Sequence, residues 1–124
     1  MMSYMIGIGI DLVEVQGLKK ALERTPILGP RLFGPSELDR SVESLAGCFA
    51  AKEALAKALG GGDLPWGDVE VIPLASGQPT LHLTGKVAAR AHVLGVSKPH
   101  LTITHDGGFA AAIVLLEGER RGWR

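Results

Sequence analysis

The segment from Ser44 to Leu59 constrains the fold of this 124-residue chain more than any other, because it predicts a helix that is apolar on two sides. At about 100° per residue, one side of this helix carries bulky side chains and the opposite side carries very small ones. The broad apolar side with the bulky side chains consists of Leu45, Cys48, Phe49, Leu55 and Leu59, together with Ala56. The small residues are Gly47, Ala50, Ala51, Ala54 and Ala58. We expect such a helix to be buried on both sides and approached closely by another element.

Three charged residues lie on the same helix. Glu53 and Lys57 share the seam between the two faces, whereas Lys52 falls within the bulky face. Because burying an unpaired charge is costly, these residues must pair with one another, reach solvent at an interface, or serve a site. Glu53 precedes Lys57 by four residues, which is also the favourable orientation of a simple helical ion pair. The residues alone leave both interpretations open.

Composition favours a single compact domain in a reducing compartment. Lys and Arg together number 13, as do Asp and Glu, so the formal net charge is zero and binding to nucleic acid or anionic membrane is not indicated. The single Cys48 excludes an internal disulfide. The apolar N-terminal run lacks a basic flank and meets Asp11 too early for a signal peptide, and no stretch is long enough to span a membrane. We therefore expect a cytoplasmic protein.

The order of elements predicts an α+β fold, with a mostly antiparallel sheet packed on the long buried helix. The predicted elements are a strand at Tyr4–Val15, a helix at Gln16–Arg24, a break at Pro26, Gly29 and Pro30, a helix start at residues 33–37, the long helix at Ser44–Leu59, a hairpin at Val69–Ala75 and Thr80–Thr84, a helix at Lys86–Leu94, and a hairpin at His100–His105 and Phe109–Glu117. Residues 1–117 are expected to form one domain, followed by a basic, mobile tail at 118–124.

Two polar residues near strand ends are candidates for a site. Asp11 ends the first predicted strand, where an Asp most often caps a helix or a turn. His105 shares a strand face with Leu101 and Ile103, whereas His100 lies on the other face, so the two histidines do not bind one metal together if the strand is regular. A lone His on an apolar face is more often a hydrogen-bonded core residue than a ligand. No pattern of nucleophile, His and Asp is recognisable.

Five motifs stand in register between about Met5 and Glu117. They are Gly7-Ile-Gly-Ile-Asp11-Leu-Val-Glu, Phe33-x-x-x-Glu37, Phe49-Ala-Ala-Lys-Glu53-Ala-Leu-Ala-Lys57-Ala, Gly77-x-Pro79 and Thr104-His105-Asp106. Together they resemble the holo-acyl-carrier-protein synthases, the small phosphopantetheinyl transferases of fatty acid biosynthesis. The resemblance implies Mg²⁺-dependent transfer of the 4′-phosphopantetheine arm of coenzyme A to a carrier-protein serine, with release of adenosine 3′,5′-bisphosphate. It also implies a homotrimer with coenzyme A at subunit interfaces, which would give Lys52 an interfacial setting.

The resemblance assigns roles by position. Asp11 and Glu53 resemble the Mg²⁺ carboxylates, Lys57 the lysine on the reacting phosphate, and His105 the histidine near the coenzyme phosphates. The residues implied in coenzyme binding are Lys57, Gly77, Pro79, Thr104 and His105. Glu53 and Lys57 are the implied catalytic residues. The proton of the attacking serine passes either to Glu53 or to a metal-bound water, and the sequence leaves both open.

Carrier recognition is implied for the first predicted helix. Its residues Lys19, Lys20 and Arg24 could bind an acidic acyl carrier protein, although an ordinary solvated helix face would look the same. Gly17 stands where the family usually has Arg. This departure suggests an alternative substrate, a carrier domain within a large fatty-acid or polyketide synthase.

A second departure concerns the coenzyme. Cys48 stands where the family commonly has Arg before the Phe-Ala-Ala-Lys-Glu block. A basic contact to the coenzyme phosphates is therefore missing or supplied elsewhere. Together with Gly17, this leaves a non-catalytic coenzyme A-binding or assembly protein as the alternative from another class.

Overall fold

The structure, a computed structural model, describes residues 2–119 and has the expected α+β architecture. Its elements are β1 (Tyr4–Glu14), α1 (Val15–Arg24), α2 (Leu28–Leu32), α3 (Pro35–Leu38), α4 (Val42–Ala58), a 3-10 helix (Trp66–Asp68), β2 (Val69–Pro73), β3 (Pro79–Leu83), α5 (Gly85–Leu94), β4 (Val96–Asp106) and β5 (Phe109–Gly118). The basic tail predicted at residues 118–124 overlaps β5 by one residue, because this strand includes Gly118. Residues 120–124 of that tail lie outside the described part of the chain.

Two antiparallel sheets form, as the hairpin patterns predict. One sheet has three strands in the order β1-β5-β4, and the other pairs β2 with β3. The register places Asp11 of β1 opposite Ala112 of β5, which in turn lies opposite Ile103 of β4. Asp11 and Ile103 therefore lie on one face of the sheet, the face covered by α4.

One predicted boundary is wrong, and one short helix was not predicted. Strand β4 begins at Val96 rather than at His100, because the residues before His100 also pair with β5. Helix α1 ends at Arg24, before Pro26, Gly29 and Pro30, as predicted, but a short helix, α2, then forms at Leu28–Leu32. Pro30 is accommodated because it lies in the first turn of α2, where a backbone N–H has no acceptor within the helix.

Helix α4 lies directly on the backbone of β1, as its small face predicts. A β-carbon on Gly9 would overlap the carbonyl oxygen of Ala54, and one on Gly7 would overlap that of Ala58. The two glycines thus allow main chain to pack on main chain. This contact fixes the height of α4 above the strand that carries Asp11.

The other side of α4 is also buried, and Lys52 is buried with it. Lys52 and Glu37 have side chains that are 0% exposed, and Lys52 Nζ lies 2.7 Å from Glu37 Oε1. Lys52 also donates to the carbonyl oxygen of Leu32, and Glu37 accepts from the backbone N–H groups of Gly34 and Val71. The expectation that Lys52 lies at an interface is wrong, since α3 brings it a buried carboxylate partner.

The face of the three-stranded sheet that points away from α4 is open and apolar. Ile8, Ile10 and Leu12 of β1 are 59%, 59% and 63% exposed, and Ile113 of β5 pairs beside Ile10. We call these four residues the open sheet face. Among the helices of residues 2–119, none combines the length and the apolar character that a membrane crossing would need.

Candidate active site

Strand β1 and helix α4 bring Asp11, Glu53 and Lys57 to one place. Lys57 Nζ lies 3.1 Å from Asp11 Oδ1 and donates a second hydrogen bond, of 2.9 Å, to the carbonyl oxygen of Ile10. Asp11 lies within β1, three residues before the strand ends at Glu14, so it does not cap a helix or a turn. Within residues 2–119, Lys57 forms its ion pair with Asp11 and not with Glu53. The simple helical ion pair between Glu53 and Lys57 therefore does not form within these residues.

The second carboxylate, Glu53, shares a cavity with Asp11. Burial raises the pKa of Glu53, the nearby Asp11 carboxylate raises it further, and Lys57 opposes both effects. The cavity has a volume of about 520 Å³. Its other lining residues are mostly apolar and come chiefly from β1, α1, α2 and α4: Leu12, Val13, Glu14, Gly17, Leu18, Ala21, Leu28, Leu32 and Phe49. Two carboxylates that repel each other beside an apolar wall make a place where a cation is favoured.

The two carboxylates fit a magnesium ion better than a metal with an all-protein cage. No group of three or more His, Cys, Asp or Glu side chains able to hold a metal occurs within the described chain. Magnesium is usually held by one or two carboxylates together with substrate phosphates and water. Asp11 and Glu53 are two such carboxylates. The repulsion between their negative charges favours a bound cation.

A second cavity, of about 440 Å³, contains three of the other residues implied in coenzyme binding. His105, Gly77 and Pro79 line it, together with Arg40, Ser41, Glu43, Ser44, Gly47, Cys48, Val71, Pro73 and Ile103. His105 Nε2 lies 2.8 Å from the carbonyl oxygen of Glu43. Because a carbonyl oxygen only accepts hydrogen bonds, Nε2 carries a proton and donates it. His105 is thus oriented by the first turn of α4.

The two cavities lie on opposite sides of α4. Ser44 and Cys48 line the second cavity, whereas Phe49 and Glu53 line the first. At about 100° per residue, these pairs point in nearly opposite directions from the helix axis. One chain therefore holds the carboxylates and His105 in separate places.

Thr104 lies with neither group. It is exposed on the face of β4 opposite to His105, which is the side of the open sheet face. Successive side chains of a strand point to opposite faces, so Thr104 and His105 do not line the same cavity of one chain.

Arg40 is a residue of the site that no sequence pattern indicated. Its guanidinium lies beside Cys48 at the wall of the second cavity. Nothing in the local sequence distinguishes Arg40 from a solvated arginine, and the only signal is the position of Cys48, where a basic residue was expected.

The basic residues of α1 are placed beside the first cavity. Lys19, Lys20 and Arg24 are exposed, while Leu18 and Ala21 of the same helix line the carboxylate cavity. The helix therefore presents positive charge outward and an apolar wall inward. Ile27, which follows α1, is 62% exposed and adds an apolar contact point next to the charges.

Comparisons with known proteins identify the family of the chain. The model of the 4′-phosphopantetheinyl transferase superfamily matches residues 7–114. A holo-[acyl-carrier-protein] synthase of Streptomyces griseus is 53% identical over 120 residues, covering 91% of this chain and 98% of that protein. One of Clavibacter sepedonicus is 50% identical over 114 residues, covering 91% and 96%. The solved Helicobacter pylori holo-[acyl-carrier-protein] synthase in complex with coenzyme A superposes with a TM-score of 0.79 at 30% identity, covering 88% of this chain and 98% of that chain.

Proposed function

The chain belongs to the 4′-phosphopantetheinyl transferase superfamily, and on this premise we propose that it is a holo-[acyl-carrier-protein] synthase. It transfers the 4′-phosphopantetheine arm of coenzyme A to a serine of apo acyl carrier protein. The observation that carries the proposal is that Asp11 and Glu53 line one mostly apolar cavity while Lys57 is hydrogen-bonded to Asp11. No nucleophile is needed from this chain, because the attacking hydroxyl belongs to the carrier.

The reaction breaks one bond of the coenzyme pyrophosphate. The serine oxygen bonds to the phosphorus that carries pantetheine, and the bond from that phosphorus to the bridging oxygen breaks. Adenosine 3′,5′-bisphosphate leaves with the bridging oxygen, and the serine hydroxyl gives up its proton. Each protein group has one of three tasks: to hold the pyrophosphate, to stabilise the leaving charge, or to accept the proton.

We assign these tasks as follows. Asp11 and Glu53 would hold a magnesium ion, which when bound polarises the pyrophosphate and neutralises developing charge. Lys57 turns from Asp11 to the leaving phosphate, a movement that its 54% exposed side chain permits. Glu53 is the candidate acceptor of the serine proton, because its carboxylate lines the cavity beside which the carrier serine would dock.

A complete coenzyme site is proposed to need a second copy of the chain. Lys57 and His105 are both assigned to the coenzyme phosphates, yet within one chain Lys57 is bonded to Asp11 of the first cavity, whereas His105 lines the second cavity on the other side of α4. Packing of copies through the open sheet face would bring the second cavity of one copy toward the carboxylates of another. The apolar character of that face supports a homotrimer, in which Thr104 also lies near the contact.

The partner is proposed to dock on α1. Lys19, Lys20 and Arg24 suit an acidic acyl carrier protein, and the docked serine would then lie close to the carboxylate cavity that α1 walls. Gly17 leaves the carrier open between a free acyl carrier protein and a carrier domain of a large synthase. A reducing cytoplasm that makes fatty acids is the proposed setting.

The test of this function is mass spectrometry of an apo carrier protein incubated with the chain, coenzyme A and Mg²⁺. A mass gain equal to one phosphopantetheine arm, lost on adding EDTA, supports both the transfer and its metal dependence. A gain that persists in EDTA contradicts the metal assignment. No gain with either a free carrier or an excised synthase carrier domain, despite coenzyme A binding, contradicts the enzyme and favours a coenzyme A-binding protein.

A further inference from the structure

Arg40 follows α3 and places its guanidinium against α4 at the position of Cys48. Its Nη1 donates to Cys48 Sγ at 3.2 Å, and its Nη2 donates to the carbonyl oxygen of Val71 at 2.8 Å. The side chain is half-buried and lines the second cavity together with His105. Bonds to both α4 and β2 hold the guanidinium at the cavity wall.

The charge of Arg40 is not neutralised by the residues around it. Within residues 2–119, no carboxylate forms an ion pair with it, including that of Glu43, which lines the same cavity. Cys48 does not supply a negative charge, because burial raises the pKa of its thiol. A guanidinium has five N–H donors and Arg40 uses two of them, so donors remain for a ligand.

The chemistry of the ligand follows from that of the guanidinium. A half-buried arginine with free donors in a cavity favours an anion, and its planar fork matches a phosphate group. Coenzyme A carries a reacting pyrophosphate and one further phosphate, on the ribose 3′ oxygen. The pyrophosphate is assigned to the carboxylates on the opposite side of α4, so the 3′-phosphate is the group left for this cavity.

We propose that Arg40 binds the 3′-phosphate of coenzyme A and thereby supplies the basic contact that is missing at position 48, where the chain has Cys. The inference rests on the proposed function for the identity of the ligand. It makes Arg40 a specificity-determining residue, because coenzyme A and 3′-dephospho-coenzyme A differ only in this phosphate. The replacement is possible because the Arg40 guanidinium already lies against the Cys48 side chain, with Nη1 3.2 Å from Sγ.

The test compares coenzyme A with 3′-dephospho-coenzyme A, both by calorimetric binding and by transfer to apo carrier. The wild-type chain should bind coenzyme A about tenfold or more tightly than the dephospho form, as expected for a charge-assisted phosphate contact. Arg40→Ala should weaken coenzyme A binding by a similar factor, leave the dephospho form within about twofold, and raise KM with little change in kcat. Adding Cys48→Arg to Arg40→Ala should restore the preference.

The matched control is Arg90→Ala. Arg90 is also half-buried and donates to a backbone carbonyl, that of Leu59, but it lines neither cavity. Its removal should leave the preference for coenzyme A unchanged. Thermal melts of both variants separate a loss of fold from a loss of binding.

The outcomes distinguish this inference from the proposed function. Transfer by a wild-type chain that binds the two coenzymes equally overturns the role of Arg40 and leaves the function standing. Equal weakening of both coenzymes in Arg40→Ala also overturns it. An Arg40-dependent preference in binding without any transfer supports Arg40 and contradicts the enzyme. Failure of the wild-type chain to bind either coenzyme overturns both.

Discussion

The ammonium group of Lys57 lies 3.1 Å from the Asp11 carboxylate, although 46 residues separate the two in sequence. The contact joins the middle of β1 to the last turn of α4. In the absence of a metal it places one positive charge beside two carboxylates, since Glu53 shares the cavity with Asp11. Lys57 is therefore proposed to exchange Asp11, its partner in the resting state, for a substrate phosphate during the reaction.

Lys57→Ala should lower kcat by about 10²–10³-fold, the usual cost of removing a group that stabilises developing negative charge. The loss should exceed any change in KM, because the charge forms in the transition state. Steady-state transfer kinetics measure it. Lys86→Ala is the control, since Lys86 is an exposed lysine on α5, which lines neither cavity. A loss confined to KM would contradict the catalytic role.

Glu53→Gln should abolish transfer and yet stabilise the metal-free protein at neutral pH. The pKa of Glu53 is raised on folding, chiefly by burial, so the native state binds more protons than the unfolded state between the two pKa values. Stability is thus full below the unfolded pKa, about 4.3, and is lost as pH rises through the folded pKa. Replacing Glu53 with glutamine removes this pH-dependent loss of stability, because glutamine does not ionise.

Thermal melts in EDTA at several pH values test this prediction. The variant should gain no more than about 0.5 kcal/mol, or about 1–3 °C in Tm, above the folded pKa, because solvent screens a half-exposed carboxylate. The gain should vanish near pH 4. A gain that does not change with pH would assign it to something other than the charge.

Lys52→Ala should destabilise the fold by about 3–5 kcal/mol, because it leaves the fully buried carboxylate of Glu37 without its cation. Urea unfolding measures the change. The double variant Glu37→Gln with Lys52→Met should recover part of the loss, since no charge is then buried. A single variant as stable as the wild type would show that the pair is hydrated.

Gly9→Ala should cost at least about 3 kcal/mol, because the new β-carbon would overlap the carbonyl oxygen of Ala54 in a helix that cannot yield locally. Gly67→Ala is the matched control: a β-carbon there meets no other atom within 4 Å. Urea midpoints compare the two. Similar midpoints would mean that α4 moves away from β1 without cost.

Ile8→Lys should dissociate the proposed trimer, because a charge on the open sheet face opposes close packing of copies. Light scattering after size exclusion measures the mass, and transfer should fall with it if neighbouring copies complete the site. Val93→Lys provides the control, since Val93 is 71% exposed on α5 and is not part of the open sheet face. A chain that is monomeric yet fully active would contradict the shared site.

Much of the fold is readable from local pattern. The two-faced periodicity of α4 predicts its burial and its close approach to a backbone, and the Asp106-Gly107-Gly108 turn predicts the β4–β5 hairpin. The partner of Lys52 is not readable, because Glu37 is 15 residues away and reaches it only through the placement of α3. The placement of α3 depends on α2, and the sequence does not predict α2 because its prolines indicate a break in regular structure.

The candidate site likewise contains residues that the sequence indicates and residues that only the structure reveals. Asp11 and Glu53 were grouped by resemblance, since no sequence spacing reveals that β1 lies under α4. Arg40 was not found, because its significance comes from a contact with Cys48 across a loop. The separation of His105 from the carboxylates also follows from the direction in which each side chain leaves α4 or β4, which only the folded chain defines.

The contact of Gly7 and Gly9 with Ala58 and Ala54 has a consequence for redesign. Side chains elsewhere can adjust their rotamers, but main chain resting on main chain has no such freedom. The spacing between the backbone positions that carry Asp11 and Glu53 is therefore set by this main-chain contact. Moving these two positions apart to suit a cation larger than the proposed magnesium would require α4 to shift as a unit relative to β1.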